Sequence, residues 1–218
     1  MRSARRANRR LVDRVFDTST IRIGSASVAG CLASLALVCS GAADDAAPIF
    51  NGRNLDVWTA RGTAVFTVED GVLTGTQTDG KGGDLFTDES WTDFDLRFSY
   101  RVTWPANSGI WFRDRYQFDI LKHPKPVAFS GTLYCPGKMF LGTNTVEALE
   151  HRDDWNEGRV RAVGDRIQMW LNGTKVADVR DSTHASGRVG VQVHGGDRFK
   201  GMHIEIRSMT LRPIKRTD

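Results

Sequence analysis

The chain has 218 residues, enough for one ordinary domain with a short extension. Hydrophobic residues make up 40% of it and charged residues 26%, a balance typical of globular rather than disordered proteins. The net charge of +4 arises at the N-terminus, because residues 1–24 contain seven arginines against two aspartates. The rest of the chain sums to −1, with 23 Lys and Arg against 24 Asp and Glu, which argues against a nucleic-acid-binding protein.

The first segment of the chain has the layout of a secretory signal. Its arginines precede an apolar run at 28–39 and then small residues and a pair of aspartates. A helix of about 12 residues spans about 18 Å, too short for a hydrocarbon layer of about 30 Å. We therefore expect residues 1–43 to be a signal peptide cleaved after Ala42 or Ala43, and the mature protein to be periplasmic or secreted without a stable membrane span. An uncleaved anchor and lipid attachment at Cys31 are the alternatives.

Beyond this segment, alternation of apolar and polar residues dominates, with turns about every ten residues. In Phe94–Val102 every second residue is apolar, which predicts a strand with one buried face. Asn172-Gly173 is typical of the two-residue turn of a β-hairpin. The other predicted strands are Ala64–Val68, Val72–Gly75, Gly109–Phe112, Tyr116–Leu121, Gly158–Val163, Ile167–Leu171, Thr174–Val179, Val189–His194 and Ile204–Ile206.

Nine or ten strands with almost no helix predict an all-β sandwich or jelly roll. Few segments could be helices, and the best candidate is the short segment Thr145–His151. No repeat or low-complexity stretch divides residues 44–218, so we expect a single domain. Cys135 is the one cysteine beyond the signal segment, which excludes an internal disulfide in the mature chain and favours a small buried hydrophobe over a nucleophile.

Three groups of polar and aromatic residues could carry function. In Val189–His194 the valines share one face, which leaves Gln192 and His194 with Gly190 on the other, as in a sugar-binding face or an ordinary outward face. Around Asn107, Trp111, Arg113, Tyr116 and Asp119 we expect a stacking platform, a clamp for an anion or a carbonyl and a base, or a surface ion pair. Trp155 belongs to a third patch, Asp153–Asn156, which could also be a plain loop.

Eight segments in order resemble the bacterial 3-keto-disaccharide hydrolase family, whose members are also described as 3-keto-glucoside lyases and 3-keto-2-hydroxyglucal hydratases. The resemblance covers the chain from about Ile49 to Ile214, and its motifs include Asn107-Ser-Gly-Ile-Trp-Phe-Arg113 and Val189-Gly-Val-Gln-Val-His-Gly195. The other segments are Phe50–Trp58, Val68–Leu73, Asp93–Arg97, Gly131–Tyr134, Asp154–Asn156 and Trp170–Gly173.

The resemblance implies a concanavalin-A-like jelly roll that is exported and acts on oxidised sugars. The family's Tyr-Glu-x-Gln-Ile-Leu-Asp pattern is here Tyr-Gln-Phe-Asp-Ile-Leu-Lys, with Gln117, Asp119 and Lys122 in place of Glu, Gln and Asp. This departure makes altered specificity or lost activity an open alternative.

Cleavage of a 3-keto-glycoside needs a base for the proton on C2, an acid for the leaving oxygen and a stabiliser for the enolate. We expect His194 or Asp119 to be the base, and Arg113 or a divalent cation to stabilise the enolate. Asn107, Trp111, Tyr116, Gln192 and Trp155 would bind substrate.

No ligand spacing requires a metal, although Asp119 with Glu69 or Asp84 could hold a cation through oxygen ligands. The resemblance implies that the function is hydrolysis of 3-keto-glycosides by elimination and hydration. The alternatives are a carbohydrate-binding domain without catalysis and a structural sandwich that mediates protein contacts.

Overall fold

The computed structural model describes residues 46–77 and 79–215, so the predicted signal segment 1–43, its cleavage site and Cys31 lie outside the described residues. Within them the chain forms sixteen strands and two short 3-10 turns, Glu147–Leu149 and Asp197–Phe199. The strands are β1 (Ala47–Pro48), β2 (Trp58–Gly62), β3 (Val65–Glu69), β4 (Val72–Thr76), β5 (Gly83–Trp91), β6 (Phe94–Val102), β7 (Asn107–Phe112), β8 (Tyr116–Pro124), β9 (Val127–Phe129), β10 (Thr132–Cys135), β11 (Met139–Gly142), β12 (Asn156–Val163), β13 (Arg166–Leu171), β14 (Thr174–Arg180), β15 (Gly187–Val193) and β16 (His203–Pro213).

The strands form two antiparallel sheets of eight strands each. The first sheet has the order β14-β13-β12-β6-β16-β4-β3, with β1 paired to β16. The second sheet has the order β11-β10-β8-β7-β15-β5-β2, with β9 paired to β8. Strands β15 and β16 return from the end of the chain to lie between earlier strands, as crossing connections in a jelly roll do. The predicted all-β jelly-roll sandwich is confirmed.

The core lies between the two sheets and is built from the alternating apolar residues that the sequence shows. Phe98 of the first sheet meets Phe118 of the second edge-on, with ring centroids 5.2 Å apart. Phe94 and Phe112 make a similar contact at 6.3 Å. All four rings are almost fully buried, and full burial of such a side chain stabilises a fold by about 1.5–3 kcal/mol.

The structure contains the hairpin turn that the sequence predicts at Asn172-Gly173. Asn172 and Gly173 join β13 to β14 with φ of 48° and 80°, the left-handed conformations that this turn type requires. The expected helix at Thr145–His151 is wrong: only Glu147–Leu149 forms a 3-10 turn, because no apolar face supports a longer helix there. Cys135 is 1% exposed, in line with a small buried hydrophobe.

Candidate functional site

A groove of about 290 Å³ lies on the outward face of the second sheet. Strands β7, β8 and β15 form its floor, and β10 and β11 bound one end. It is lined by Asn107, Trp111, Gln117, Asp119, Leu121, His123, Tyr134, Met139, Phe140, Gln192 and His194. Five predicted site residues therefore meet in one place, namely Asn107, Trp111, Asp119, Gln192 and His194.

Strand register explains why these side chains converge. Gly109 of β7 lies opposite Asp119 of β8 on one side and Gln192 of β15 on the other. Residues directly opposite each other in an antiparallel pair point to the same face of the sheet. Asp119 and Gln192 therefore lie on the same face of the sheet. Gly109, which lies between them, has no side chain to fill the groove at that point.

The Asp119 carboxyl group is the most desolvated acid of the groove. The residue is 3% exposed, and no hydrogen bond or ion pair reaches its carboxyl group from the part of the chain that the structure describes. Burial alone raises the pKa of Asp119 well above its usual value. A carboxyl group of this kind is a proton donor when neutral and a strong base when ionised.

Gln117 lies next to Asp119 and was not predicted as a site residue. Its side chain is 2% exposed, and its Nε2 has no hydrogen-bond partner among the described residues. The side chain covers Gly109, where a Cβ would stand 2.5 Å from the Gln117 Cδ. Buried amide groups are nearly always paired, so an unpaired N–H donor at the groove floor is suited to a ligand oxygen.

A second acid, Asp84 of β5, lies directly opposite Gln192, on the side of β15 away from Gly109. The Trp111 Nε1 donates a hydrogen bond of 2.6 Å to the Asp84 Oδ1. Burial raises the pKa of Asp84, while the hydrogen bonds from Trp111 and Gln192 act in the opposite direction. Asp84 thus fixes the indole ring and the Gln192 amide, a role that the sequence did not indicate.

One end of the groove is aromatic. Tyr134 lies 6.3 Å from Trp111 and 6.4 Å from Phe140 between ring centroids. His123 packs edge-on against Phe140 at 5.4 Å. Strands β10 and β11, which carry Tyr134 and Phe140, were not among the predicted strands, although Thr132 and Tyr134 alternate with apolar residues.

His194 stands where this groove meets a neighbouring hollow of about 330 Å³. The hollow is lined by Arg61, Gly62, Gly82, Gly83, Asp84, Gln192, Val193, His194 and Gly195. His194 itself is exposed just after the end of β15, and its Nδ1 is within hydrogen-bond reach of the Gly195 carbonyl oxygen. The imidazole can therefore face ligands in either hollow.

The structure does not bring Arg113 to the groove. Strand β7 ends at Phe112 and Arg113 has a φ of 49°, so the alternation that would have placed it beside Trp111 stops. Its guanidinium group is fully buried and donates hydrogen bonds to the carbonyl oxygens of Thr92, Gly164 and His184. The expectation that Arg113 stabilises an enolate is therefore wrong, because no ligand in the groove can reach it.

Tyr116 and Trp155 also lie away from the groove. Tyr116 is fully buried on the core face of β8, stacked on Phe112 at 5.5 Å, because it alternates with Gln117. Trp155 precedes β12 of the first sheet, where Arg101 and Arg207 cover its ring at 5.0 and 4.7 Å. Neither Tyr116 nor Trp155 can contact a substrate in the groove, so the expectation that they bind substrate is wrong.

The acids considered as metal ligands do not form one set. Glu69 belongs to β3 of the first sheet, whereas Asp84 and Asp119 belong to the second. Asp84 and Asp119 are three strands apart, about 14 Å at the backbone. In residues 46–77 and 79–215, no group of three His, Cys, Asp or Glu side chains could hold a metal ion. No helix in those ranges has the length and apolarity to cross a membrane.

Comparison with known proteins identifies one family. The model of the 3-keto-alpha-glucoside-1,2-lyase-like domain matches residues 45–212, most of the chain. No curated protein sequence matches the chain.

Several solved structures share the fold. A protein from Parabacteroides distasonis described as a putative glycosyl hydrolase has a TM-score of 0.58 at 17% identity, over 78% of this chain and 99% of that one. The carbohydrate binding module CBM66 from Bacillus subtilis has a TM-score of 0.53 at 16% identity, over 72% and 95%. The lumenal domain of VIP36, in a form with Ca²⁺ and mannose bound, has a TM-score of 0.56 at 14% identity, over 74% and 85%. Identities this low establish similarity of fold alone.

Proposed function

The chain belongs to the family of 3-keto-alpha-glucoside-1,2-lyase-like domains, and on that premise we propose that it cleaves 3-keto-glycosides in the groove of the second sheet. The observation that carries the proposal is the Asp119 carboxyl group, buried at the groove floor without a partner among the described residues. Next to it, Gln117 offers an unpaired N–H donor. A base beside an oxyanion donor is what proton abstraction next to a ketone requires.

The proposed reaction has two stages. The ionised Asp119 carboxylate accepts the proton from C2, and the electron pair of the broken C–H bond forms an enolate with the C3 oxygen. Gln117 Nε2 donates a hydrogen bond to that oxygen. The enolate then expels the anomeric oxygen from C1, which leaves as an alcohol with a proton from His194, and water adds to the resulting enone.

The remaining groove residues would hold the sugar. The Trp111 ring, fixed by Asp84, gives an apolar face for the pyranose, and the amides of Asn107 and Gln192 reach its hydroxyl groups. The aromatic end at Tyr134 and Phe140 would receive the leaving group.

A second candidate is a carbohydrate-binding domain without catalysis. It is favoured by the similarity to the module CBM66, whose chain is covered over 95% of its length. It is also favoured by the raised pKa of Asp119, since a neutral carboxyl group can simply donate a hydrogen bond to a sugar.

The test compares the unmodified protein with Asp119→Asn on 3-keto-trehalose and 3-keto-glucosides, with and without EDTA. We expect Asp119→Asn to lower kcat by about 10²- to 10⁴-fold with little change in substrate affinity. The matched control is Asp70→Asn in the exposed turn between β3 and β4, which should leave kcat unchanged. Absence of turnover in every form, with equal affinity for sugars, would identify a binding domain.

A further inference from the structure

The outward face of the first sheet carries a strip of arginines that the groove chemistry does not use. Three adjacent strands, β12, β6 and β16, contribute six of them. They are Arg97, Arg101, Arg159, Arg161, Arg207 and Arg212, and five of these side chains are 35–52% exposed, with Arg161 also partly accessible. We call this set the arginine strip.

The register of the strip places like charges together. Arg159 of β12 lies directly opposite Arg97 of β6, an arrangement that destabilises an antiparallel pair. In the next row, Asp95 lies between Arg161 and Arg212. Asp95 is 3% exposed and has ion pairs with Arg159 at 2.5 Å, Arg97 at 3.7 Å and Arg212 at 3.8 Å. One carboxylate therefore stands among four arginines.

Positive charge is concentrated on this face. The outward residues of the same three strands include three acids, Asp95, Glu157 and Glu205, against the six arginines. Residues 46–215 as a whole contain 22 Lys and Arg against 21 Asp and Glu. A local excess of this kind in a nearly neutral domain is complementary to an anionic partner.

The geometry within the strip shows which anion suits it. Arg159 grips the Asp95 carboxylate with two hydrogen bonds, Nε to Oδ1 at 2.8 Å and Nη2 to Oδ2 at 2.5 Å. The Arg159 guanidinium also stacks on Trp170 at 4.6 Å, which holds its plane. An arginine fork held in this way matches a carboxylate.

We propose that the arginine strip binds a polysaccharide that carries carboxylates on successive sugars, such as a uronic acid polymer. Six guanidinium groups spread over three strands of one sheet face fit a polymer with several carboxylates better than a single small anion. The overall charge of the domain is too small for a general nucleic-acid-binding protein. The most exposed large apolar side chains of the described structure, such as Val57, Met139 and Val146, lie outside the strip, which does not favour a lipid surface as the partner.

The test measures binding of polygalacturonate to the full chain by titration calorimetry at low and at physiological salt. The matched ligand is the fully methyl-esterified polymer, which has the same backbone without the charge. We expect polygalacturonate to bind, its ester not to bind, and affinity to fall as salt is raised. In the double variant Arg97→Gln and Arg161→Gln we expect about tenfold weaker binding.

The control variant removes the same charge elsewhere, with Arg53→Gln and Arg115→Gln, and should bind as the unmodified protein does. A melting temperature within a few degrees shows that both variants fold. The proposal is overturned by equal binding in both double variants, by equal binding of the ester, or by no binding at low salt. Tighter binding of a DNA duplex or of phosphatidylglycerol vesicles would also overturn it and would assign the strip to that partner. Turnover of small 3-keto-glycosides is a separate readout, so failure here leaves the groove proposal standing.

Discussion

Replacing Glu150 by glutamine should change how the stability of the protein depends on pH. Glu150 follows the 3-10 turn Glu147–Leu149, and its Oε1 accepts a hydrogen bond of 3.3 Å from the hydroxyl group of the fully buried Tyr100. Burial raises the pKa of Glu150 from 4.5 to about 7, although the hydrogen bond from Tyr100 and the nearby Ser130 hydroxyl group act in the opposite direction. In the folded protein this acid is therefore neutral over a pH range in which the unfolded chain has already ionised it.

The sign of the effect follows from proton counting. Between pH 4.5 and about 7 the folded state keeps the proton on Glu150 and the unfolded state has lost it, so the free energy of unfolding falls as pH rises. Each pKa unit corresponds to about 1.4 kcal/mol, and the two values differ by about 2.5. The upper limit is about 3 kcal/mol, since the Glu150 side chain is partly accessible to solvent. For a domain of this size that is a difference in Tm of at most about 6–12 °C.

The assay is urea unfolding of the unmodified protein and Glu150→Gln at pH values from about 4.5 to 8.5. The difference in unfolding free energy between the two proteins should shift steadily in favour of Glu150→Gln as pH rises. Glu147→Gln is the control from the same turn. A hydrogen bond from Lys122 lowers the pKa of Glu147 from 4.5, so its contribution to stability is lost only below about pH 4.5, and the difference between this variant and the unmodified protein should stay nearly constant over the range of the assay. Parallel stability curves for the unmodified protein and Glu150→Gln would refute the reasoning.

Three further variants test the roles assigned to single residues. Arg113→Met should lower the unfolding free energy by about 3–5 kcal/mol, because Asp93 and three carbonyl oxygens lose a buried donor, while the exposed-turn variant Arg115→Met should leave urea unfolding unchanged. Gly109→Ala should displace Gln117 and reduce kcat of the proposed reaction with a small change in Tm; an unchanged kcat would exclude Gln117 as the oxyanion donor. His194→Ala should abolish turnover or sugar binding with a Tm within a few degrees, as for an exposed residue, and loss of folding would show a structural role instead.

Alternation along single strands predicted much of the site. It placed Gln192 on the face opposite the valines of β15, and it put Asp119 on the same face as Trp111, as the register confirms. The same alternation argues against Tyr116 as a groove residue, because residues an odd number apart on one strand point to opposite faces. Tyr116 and Asp119 are three residues apart and could not both line the groove.

The other differences come from features that alternation does not contain. Arg113 and Asp114 take φ values of 49° and 59° in the turn after β7, so the pattern of the strand does not extend to them. The polar neighbours of Trp155 in sequence suggested a substrate contact. Trp155 directly precedes β12, however, and long-range pairing with β6 places β12 in the first sheet, away from the groove. The Gln117 side chain lies over Gly109 of the adjacent strand, which has no side chain to exclude it. This contact can be recognised only once the strand register is known.

The two outward faces of the sandwich differ in charge, and this separates the ligands that each can take. The groove is lined by Asp119 and the adjoining hollow by Asp84, and burial raises the pKa of both carboxyl groups. A uronate there would bring a third acid into a desolvated space beside them, which is costly without a cation. A neutral 3-keto-glycoside avoids that cost, whereas the arginine strip on the other sheet carries an excess of positive charge. An acidic polymer bound there would therefore leave the groove open, and would hold the protein beside a polysaccharide that is not itself the substrate.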